Sequence, residues 1–321
     1  MTASKSPVIV DLRFHPDQVR EGLRRAFPGR EVINRADPAN AGRDLSGIHY
    51  AVLWKPQADL FERAKDLKVL FSGGAGVDHV LTLPGLPDIP LVRFVDHTLT
   101  TRMSEWVVMQ CLMHLRQHLT YVRQQDEKVW TQLTQPEAAD VTVGIMGMGV
   151  LGSDAARKLK VMGFNVIGWS RSGKASVEGV DMYGADRLDE FLGRTDILVG
   201  LLPLTAETRN IFDADLFRKL RRDGALGGPV FINAGRGGSQ VEADLVQSLT
   251  DGTLKAASLD VFETEPLPAD SPFWSMENVI VTPHVAADSD VGALFAHVER
   301  QIERFEAGEP LEHVVNRGTG Y

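Results

Sequence analysis

Short apolar runs alternate with polar, helix-like segments along this chain, and the alternation falls into two series. Such alternation is typical of βα units that build a parallel sheet. The first series predicts four strands, at PVIVDL (7–12), HYAVLW (49–54), KVLFSG (68–73) and PLVRF (90–94). The second series predicts six strands, at VTVGIM (141–146), NVIGWS (165–170), ILVGLL (197–202), VFIN (230–233), ASLDVF (257–262) and VIVTP (279–283).

Two helical segments lie outside these series. Segment 101–126 has apolar residues at helical spacing, which predicts one long amphipathic helix that could connect two domains. The chain turns polar and helical again after residue 287. We therefore predict an α/β protein with two doubly wound parallel-sheet domains. One domain is expected at 1–97 together with 288–321, and the other at 98–287.

Length and charge restrict the function classes. A chain of 321 residues exceeds one ordinary hydrophobic core, which agrees with two domains. The net charge of −9 is not offset by a basic stripe, so we expect neither a nucleic-acid nor a membrane partner. The start MTASKSPVIVDLRF shows no secretory signal. The single cysteine, Cys111, cannot form an internal disulfide, and a reducing, cytoplasmic location is expected.

The segment VTVGIMGMGVLGSDAARKL carries glycines in G-x-G-x-x-G spacing between a predicted strand and a predicted helix. The first glycine permits a tight turn, the second lets a pyrophosphate approach the backbone, and the third lets the helix pack closely. The helix N-terminus then offers free N–H groups to the phosphates. The residues predicted to bind a dinucleotide here are Gly147, Met148, Gly149, Val150, Leu151 and Gly152.

The end of the next strand indicates which dinucleotide binds. An NAD site has an acidic residue about 20 residues further on, which accepts a hydrogen bond from the ribose 2′-hydroxyl. Here the strand is followed by hydroxyl and basic side chains, which suit a 2′-phosphate. We therefore expect NADP(H) as the preferred cofactor, with NAD(H) still possible, and assign its recognition to Ser170, Arg171, Ser172 and Lys174.

Three later strands end in ionisable residues, and ligands of open α/β sheets bind at the carboxyl ends of strands. Arg236 follows VFIN, Asp260 and Glu265 lie in SLDVFETEP, and His284 follows VIVTP. Reduction of a 2-keto acid needs three groups of these kinds. A cation holds the carboxylate and polarises the ketone, an acid protonates the oxygen, and a carboxylate keeps that acid protonated and oriented.

The pieces GMGVLG, INAGRGG, LDVFETEPLP and TPHVAA resemble the D-isomer-specific 2-hydroxyacid dehydrogenase family over nearly the whole chain. Five further pieces, FSGGAGVDHV, LWKP, GWSRSGK, LLPLTAETRNIF and the ending RGTGY, are similar to its glyoxylate/hydroxypyruvate reductase A branch. The resemblance implies a Rossmann-type cofactor domain and a flavodoxin-like substrate domain. It also implies NAD(P)-dependent reduction of glyoxylate or hydroxypyruvate to the D-2-hydroxy acid, with no metal ion.

The resemblance also implies residue roles. Arg236, Glu265 and His284 match the catalytic arginine, glutamate and histidine, and Asp260 matches the acceptor of the nicotinamide carboxamide. Trp130 matches a tryptophan that crosses the family's dimer interface, so a homodimer is expected. The residues expected to bind substrate besides Arg236 are Trp54, Gly74, Ala75 and Gly76. The remaining residues expected to contact the cofactor are Leu202, Pro203, Thr208 and Ala234.

Two departures from the branch pattern keep the substrate open. Gly73 stands where a larger residue is usual, and the stretch HTLTTR (97–102) differs from the branch. A small residue at 73 would leave room for a bulkier 2-keto acid such as phenylpyruvate. A second alternative is a dinucleotide-sensing regulator on the same fold. The intact set of Arg236, Glu265 and His284 argues against a non-catalytic protein, as does the absence of any extra domain in the sequence.

Overall fold

The computed structural model describes residues 5–318 and residue 320. Contacts within the chain divide it into two units, one formed by Met1–Leu99 with Ser289–Tyr321 and one by Thr100–Asp288. We refer to these as the first and the second unit. Two residues of the ending RGTGY, Thr319 and Tyr321, lie outside the described residues.

The first unit is built on a parallel sheet of five strands in the order β2-β1-β3-β4-β5, the order of flavodoxin-like folds. Its strands are β1 Val8–Leu12, β2 Val32–Asn34, β3 Tyr50–Trp54, β4 Val69–Ser72 and β5 Leu91–Val92. Its helices are α1 Pro16–Leu23, α2 Leu60–Arg63, α3 Asp78–Leu81 and, from the C-terminal segment, α10 Val291–Glu306.

Helix α10 packs against α1, and its sequence explains how. The side chain of Asp290 accepts a hydrogen bond from the amide of Ala293 and so caps the first turn. One face of α10 is apolar and buried, while the opposite face is charged. Gly22 on α1 allows the close approach, because a Cβ atom there would lie 2.9 Å from the side chain of Val291. The C-terminal helix therefore belongs to the first unit.

The second unit contains a parallel sheet of seven strands in the order β12-β11-β10-β9-β6-β7-β8. Its strands are β6 Thr142–Met146, β7 Asn165–Trp169, β8 Asp181–Tyr183, β9 Ile197–Gly200, β10 Val230–Asn233, β11 Ala256–Leu259 and β12 Val279–Val281. Its helices are α4 His97–Leu115, which begins in the first unit, α5 His118–Asp126, α6 Val150–Val161, α7 Leu188–Gly193, α8 Ala214–Arg218 and α9 Glu242–Thr250. Among the described residues, the single-turn 3₁₀ helices are Pro38–Asn40 in the first unit and Ala138–Asp140, Ala185–Arg187, Gly237–Ser239 and Pro272–Ser275 in the second.

The structure corrects the sequence prediction in two places. The predicted long helix over 101–126 is wrong, because Gln117 adopts a left-handed backbone conformation (φ +55°) that separates α4 from α5. The side chain of Gln117 donates a hydrogen bond to the carbonyl of Thr134. The strands β2 and β8 were not predicted. Each has three residues, lies at the edge of its sheet and buries one apolar side chain, Ile33 or Tyr183.

Among residues 5–318, no helix has the length and the apolar composition that a membrane crossing requires. Helix α4 comes closest in length, but its apolar face is covered by the core of the second unit. The thiol of Cys111 on this helix is fully buried in that core. Burial raises the pKa of the Cys111 thiol above its usual range, which agrees with a packing role.

Two histidines are buried in neutral form, one in each unit. The Nε2 atom of His114 lies 2.8 Å from the hydroxyl of Ser258, and burial, with a smaller effect of Lys255, lowers the pKa of His114 to about 4. On α10, the guanidinium of Arg300 donates a hydrogen bond to Nδ1 of His297. Burial lowers the pKa of His297 to about 4 as well, and the charges of Arg300 and His313 act in the same direction.

We predict that acidification destabilises the protein between about pH 6.5 and pH 4, because the unfolded histidines take up protons there and the folded ones do not. The contribution of each histidine is fully present above the unfolded value of about 6.5 and is lost as the pH falls through the folded value. Each adds a slope of up to about 1.4 kcal/mol per pH unit. Urea unfolding at several pH values measures the slope, which should shrink in a His297→Asn variant.

The exposed His15 supplies the control, and a His15→Asn variant should keep the full slope. An unchanged slope in the His297→Asn variant would show that His297 is protonated in the folded protein. The comparison uses slopes rather than stabilities, because any substitution at a buried site also changes packing.

Candidate active site

Three neighbouring strands bring the predicted catalytic residues to one edge of the second sheet. β10, β11 and β12 are parallel neighbours, with Asn233 level with Leu259 and Leu259 level with Val281. The segments that follow these three residues therefore leave the sheet at the same height. They carry Arg236, Asp260 with Glu265, and His284 respectively. The geometry thus collects a cation, two carboxylates and an imidazole at one sheet edge.

Arg236 lies in a turn that the polar end of β10 holds in place. The buried side chain of Asn233 accepts a hydrogen bond from the amide of Gly235 and donates one to the carbonyl of Arg236. The side-chain NH₂ group of Asn233 also donates a hydrogen bond to the side chain of Gln240. The guanidinium of Arg236 is half-buried and donates a hydrogen bond to the carbonyl of Gly235 at 2.8 Å. The turn is therefore fixed at its backbone.

His284 and Glu265 form an ion-pair geometry. Nδ1 of His284 lies 2.9 Å and 3.0 Å from the two carboxylate oxygens of Glu265. One of these oxygens also accepts a hydrogen bond from the amide of Phe262. The side chains of His284 and Glu265 are 34% and 21% exposed, so the pair is accessible but not fully solvated. A carboxylate at Nδ1 orients the ring and directs Nε2 away from Glu265, which is the arrangement of a proton donor.

The backbone around His284 is unusual. His284 has a φ of +56°, in the left-handed region, which costs a residue with a side chain on the order of 1 kcal/mol. Its amide donates a hydrogen bond to the carbonyl of Asp260 at 2.8 Å. The carboxylate of Asp260 is buried and accepts three further hydrogen bonds from the segment that carries His284, from Thr282 Oγ1 and from the amides of Val285 and Ala286.

The glycine loop between β6 and α6 has the form that its sequence predicts. Gly147 has a φ of +111°, and a Cβ atom there would lie 2.5 Å from the carbonyl oxygen of Leu201. A Cβ atom on Gly152 would lie 2.1 Å from the carbonyl oxygen of Gly147. In contrast, apart from its chain neighbours no atom lies within 4 Å of the Cβ position of Gly149, which is the N-cap residue of α6 and provides no capping side chain. The middle glycine therefore leaves the helix N-terminus open to a phosphate group.

Three other residues of the glycine motif differ in exposure. Met148 is buried and its side chain packs against Gly168. Val150 is exposed, and Leu151 is partly buried against the core of the unit. The order of the sheet also reverses here, because β6 pairs with β9 on one side and β7 on the other. Such a switch point is where open α/β sheets bind their ligands.

The end of β7 presents hydroxyl and basic groups. The hydroxyl of Ser170 is buried and has no hydrogen-bond partner among the described residues. A turn follows in which Gly173 has a φ of +66° and the amide of Lys174 donates to the hydroxyl of Ser172. Arg171 and Lys174 are exposed, and NH1 of Arg171 lies 4.0 Å from a carboxylate oxygen of Glu207. These donors fit a phosphate that would also satisfy Ser170.

The remaining residues predicted to contact the cofactor follow β9 and β10. Leu202 and Ala234 are buried, and Pro203 is partly buried. The hydroxyl of Thr208 donates a hydrogen bond to the carbonyl of Pro203 at 2.6 Å and accepts one from the amide of Thr205. The hydroxyl of Thr208 is therefore already used to hold the turn after β9.

The residues predicted to bind substrate apart from Arg236 lie in the first unit. Trp54 ends β3, and its ring is 4.3 Å from that of His79 and 5.8 Å from that of Phe14, measured between centroids. The indole lies against Gly74, where a Cβ atom would be 2.6 Å from it. Gly74, Ala75 and Gly76 follow β4 and form a turn that the hydroxyl of Ser72 bridges by donating to the carbonyl of Gly76.

The space beside Gly73 is filled. A Cβ atom on Gly73 would lie 2.9 Å from Leu12, and 3.2 Å from both Phe14 and Trp54. The expectation that this glycine leaves room for a bulkier substrate is therefore wrong, because the chain's own side chains occupy that room. The small residue instead permits Trp54 and Phe14 to pack closely.

Sequence reasoning missed Asn233, which fixes the turn of Arg236. A usable signal was present, because Asn233 is a polar residue that ends the otherwise apolar run VFIN and is followed by AGRGG, which contains Arg236. A buried amide must find partners for its hydrogen-bonding groups, and the nearest available ones are in the adjacent turn.

Residues 108–286 match the family model described as D-isomer specific 2-hydroxyacid dehydrogenase, NAD binding domain. The chain is 40% identical over 309 residues to the glyoxylate/hydroxypyruvate reductase A of Escherichia fergusonii, which covers 93% of this chain and 94% of that protein. The chain belongs to the D-isomer specific 2-hydroxyacid dehydrogenase family. The family resemblance in the sequence is thereby confirmed.

Solved structures agree over the full length. A crystal structure of an NADPH-dependent glyoxylate/hydroxypyruvate reductase from Sinorhizobium meliloti, in complex with NADP and sulfate, is 71% identical with a TM-score of 0.97. It covers 99% of this chain and 100% of that one. A probable 2-hydroxyacid dehydrogenase from Rhizobium etli, in complex with NADP, HEPES and L(+)-tartaric acid, is 63% identical over the same shares with a TM-score of 0.93.

Proposed function

We propose that this protein is an NADPH-dependent reductase that converts a small 2-keto acid, glyoxylate or hydroxypyruvate, into the D-2-hydroxy acid. The contact between Nδ1 of His284 and Glu265, at the sheet edge that also carries Arg236, is the observation that supports the reaction best. The relatives described above support the substrate and the cofactor. In this proposal the second unit is the dinucleotide-binding domain and the first unit the substrate domain.

The proposed chemistry divides between three side chains of the second unit. When bound, NADPH would supply a hydride to the keto carbon. His284 donates the proton at Nε2 to the keto oxygen, so that the carbonyl becomes a hydroxyl group. Glu265 orients the imidazole ring by its contact with Nδ1. Arg236 binds the substrate carboxylate and polarises the ketone, because a guanidinium forms two parallel hydrogen bonds to such a group.

Cofactor binding is assigned to the glycine loop and the end of β7. The open N-terminus of α6 at Gly149 would hold the pyrophosphate. The unsatisfied hydroxyl of Ser170, with Arg171 and Lys174 beside it, would hold the 2′-phosphate that distinguishes NADP(H) from NAD(H). A phosphate there gives Ser170 the partner that it lacks among the described residues, which supports a preference for NADP(H).

Substrate recognition is further assigned to Trp54 and to the turn of Gly74, Ala75 and Gly76. The turn can offer backbone amides to a carboxylate, and the indole packed on Gly74 limits the size of the group beside it. The filled space at Gly73 favours small 2-keto acids over aromatic ones such as phenylpyruvate. A non-catalytic, dinucleotide-sensing role would not require the contact between His284 and Glu265, so we favour the enzyme.

A His284→Gln variant should reduce glyoxylate with a kcat roughly 10²- to 10⁴-fold lower, which is the usual contribution of a positioned general acid. The affinity for NADPH should change little, because the phosphate contacts lie at α6 and β7. Steady-state kinetics in both directions, with fluorescence titration of NADPH, measure these effects.

A His49→Gln variant is the matched control, since His49 lies at the amino end of β3, away from every residue assigned above. Its kinetics should equal those of the unsubstituted enzyme. A His284→Gln enzyme that keeps most of its reductase activity would mean that another group donates the proton.

An Arg171→Ala variant should weaken NADPH binding by tenfold to over a hundredfold, because a charge-assisted hydrogen bond contributes about 1.5–3 kcal/mol. NADH binding should stay nearly constant, since NADH has no 2′-phosphate. Calorimetric titration with both cofactors measures the two affinities. The exposed Arg218, paired with Asp215 on α8, provides an Arg218→Ala control of equal charge change. Equal losses for NADPH and NADH would contradict the assignment.

We further propose a homodimer formed through α4, α5 and the loop that follows. Trp130 in that loop is fully exposed, and the preceding Val129 and Val122 on α5 are 45% and 42% exposed. The loop is held against α5 by the hydroxyl of Tyr121, which accepts hydrogen bonds from the amide of Leu133 and the side chain of Gln135. A large, fully exposed aromatic side chain on a fixed loop is typical of an interface anchor.

Replacing Trp130 with Ala should shift the protein toward monomers at micromolar concentration, because anchor residues of this kind contribute 2 kcal/mol or more, roughly thirtyfold in the dissociation constant. Sedimentation velocity across a concentration series measures the shift. The other exposed tryptophan, Trp274, whose indole donates to the carbonyl of Pro268, gives the control variant Trp274→Ala. A monomeric unsubstituted protein at these concentrations would rule out the interface.

We also place the protein in the cytoplasm, a proposal that rests on its cysteine content. The one thiol, at Cys111, is buried and unpaired, so the fold needs no oxidising compartment. Its substrates would then be small intracellular 2-keto acids.

A further inference from the structure

The carboxylate of Asp260 accepts hydrogen bonds from both sides of His284. Before the histidine, the hydroxyl of Thr282 donates to Oδ1 at 2.6 Å. After it, the amide of Val285 donates to Oδ1 at 2.9 Å and the amide of Ala286 donates to Oδ2 at 3.0 Å. Asp260 is only 1% exposed, so these bonds are shielded from water. Three of the roughly four acceptor sites of a carboxylate are thus filled by one short segment.

Segment 282–286 holds His284 in a backbone conformation that a histidine rarely adopts. With a φ of +56°, the residue lies in the left-handed region, which is unfavourable for any residue with a Cβ atom. Such a conformation persists only where surrounding bonds over-determine it. Here the surrounding bonds are those to the Asp260 carboxylate and the bond from the His284 amide to the Asp260 carbonyl. The direction of the imidazole depends on that backbone.

We propose that Asp260 is a positioning residue for His284, whose carboxylate fixes segment 282–286 so that the imidazole meets Glu265. The inference rests on the proposed function, in which His284 donates the proton. It gives Asp260 a role besides the contact to a nicotinamide carboxamide that the family resemblance implies. A carboxylate suits the role because bonds from amides to an ionised acceptor are stronger than those to a neutral one.

The substitution Asp260→Asn tests the role with little change in shape. An asparagine side chain has one acceptor oxygen and one donor NH₂ group, so one amide of the segment would face a donor instead of an acceptor. The kcat for glyoxylate reduction should fall roughly tenfold to a hundredfold, the scale expected for a misplaced catalytic group. Amide hydrogen exchange at Val285 and Ala286 should accelerate at the same time.

A double-mutant cycle separates positioning of His284 from any other effect. If Asp260 acts through His284, the substitution Asp260→Asn should lower kcat far less in a His284→Gln enzyme than in the unsubstituted one. A Thr282→Val variant removes only the hydroxyl donor and should give a smaller fall in kcat that disappears in the same background. This second variant keeps the test decisive if Asp260→Asn folds poorly.

Asp196 provides the matched control. It is also 1% exposed, and its carboxylate accepts a hydrogen bond from the amide of Thr142 at 2.8 Å, but it lies at the amino ends of the strands. An Asp196→Asn variant should lose stability without a loss of kcat in the folded enzyme. The control thereby accounts for the general cost of removing a buried carboxylate.

Two results would overturn the inference while leaving the proposed function intact. In the first, the Asp260→Asn enzyme keeps its kcat although exchange at Val285 and Ala286 accelerates. In the second, the fall in kcat is equally large with and without His284, which would mean that Asp260 acts on the cofactor alone. A His284→Gln enzyme with nearly full activity would instead overturn the proposed function, and the positioning role with it.

Discussion

The parallel register of β10, β11 and β12 is the constraint on which the candidate site depends. Since Asn233, Leu259 and Val281 lie level in the sheet, the segments after them begin at one height. A shift of one residue in any of these pairings would turn each side chain of that strand to the opposite face. β10 and β11 are buried on both faces and β12 is partly buried, so such a shift would expose core residues. Core packing therefore fixes the position of the catalytic groups.

The sequence predicted those strands well because each is a short, mostly apolar run, which is typical of a strand in a parallel sheet. It did not predict β2 and β8, since each has three residues of which only one is buried, and the polar residues in and beside them leave no apolar run. The break between α4 and α5 also has no signal in the sequence. Helix breaks are usually marked by glycine or proline, whereas here Gln117 adopts the left-handed conformation and its side chain bonds to Thr134.

For the candidate site, the sequence predicted which chemical groups assemble but not how their hydrogen bonds are used. The contact of His284 with Glu265 follows from strand order and residue type. The bonds of Asp260 and Thr208 to neighbouring backbone depend on turn geometry, which a motif does not specify. Gly73 shows the same limit from packing. From the sequence, a glycine in place of a larger residue suggests free space. In the fold, Leu12, Phe14 and Trp54 occupy that space.

The contact between Arg171 and Glu207 bears on the choice of cofactor. The carboxylate of Glu207 is held by the hydroxyl of Thr205, and this bond, with a smaller effect of Arg171, lowers the pKa of Glu207. The carboxylate therefore stays ionised near the cation. Both side chains are more than half exposed and 4.0 Å apart, so solvent screens their attraction strongly. A phosphate group carries more charge and three acceptor oxygens, and it would also satisfy the buried hydroxyl of Ser170. Such a ligand can displace Glu207 at little cost, whereas the ribose hydroxyl of NADH cannot, which is why the local charge pattern favours NADPH.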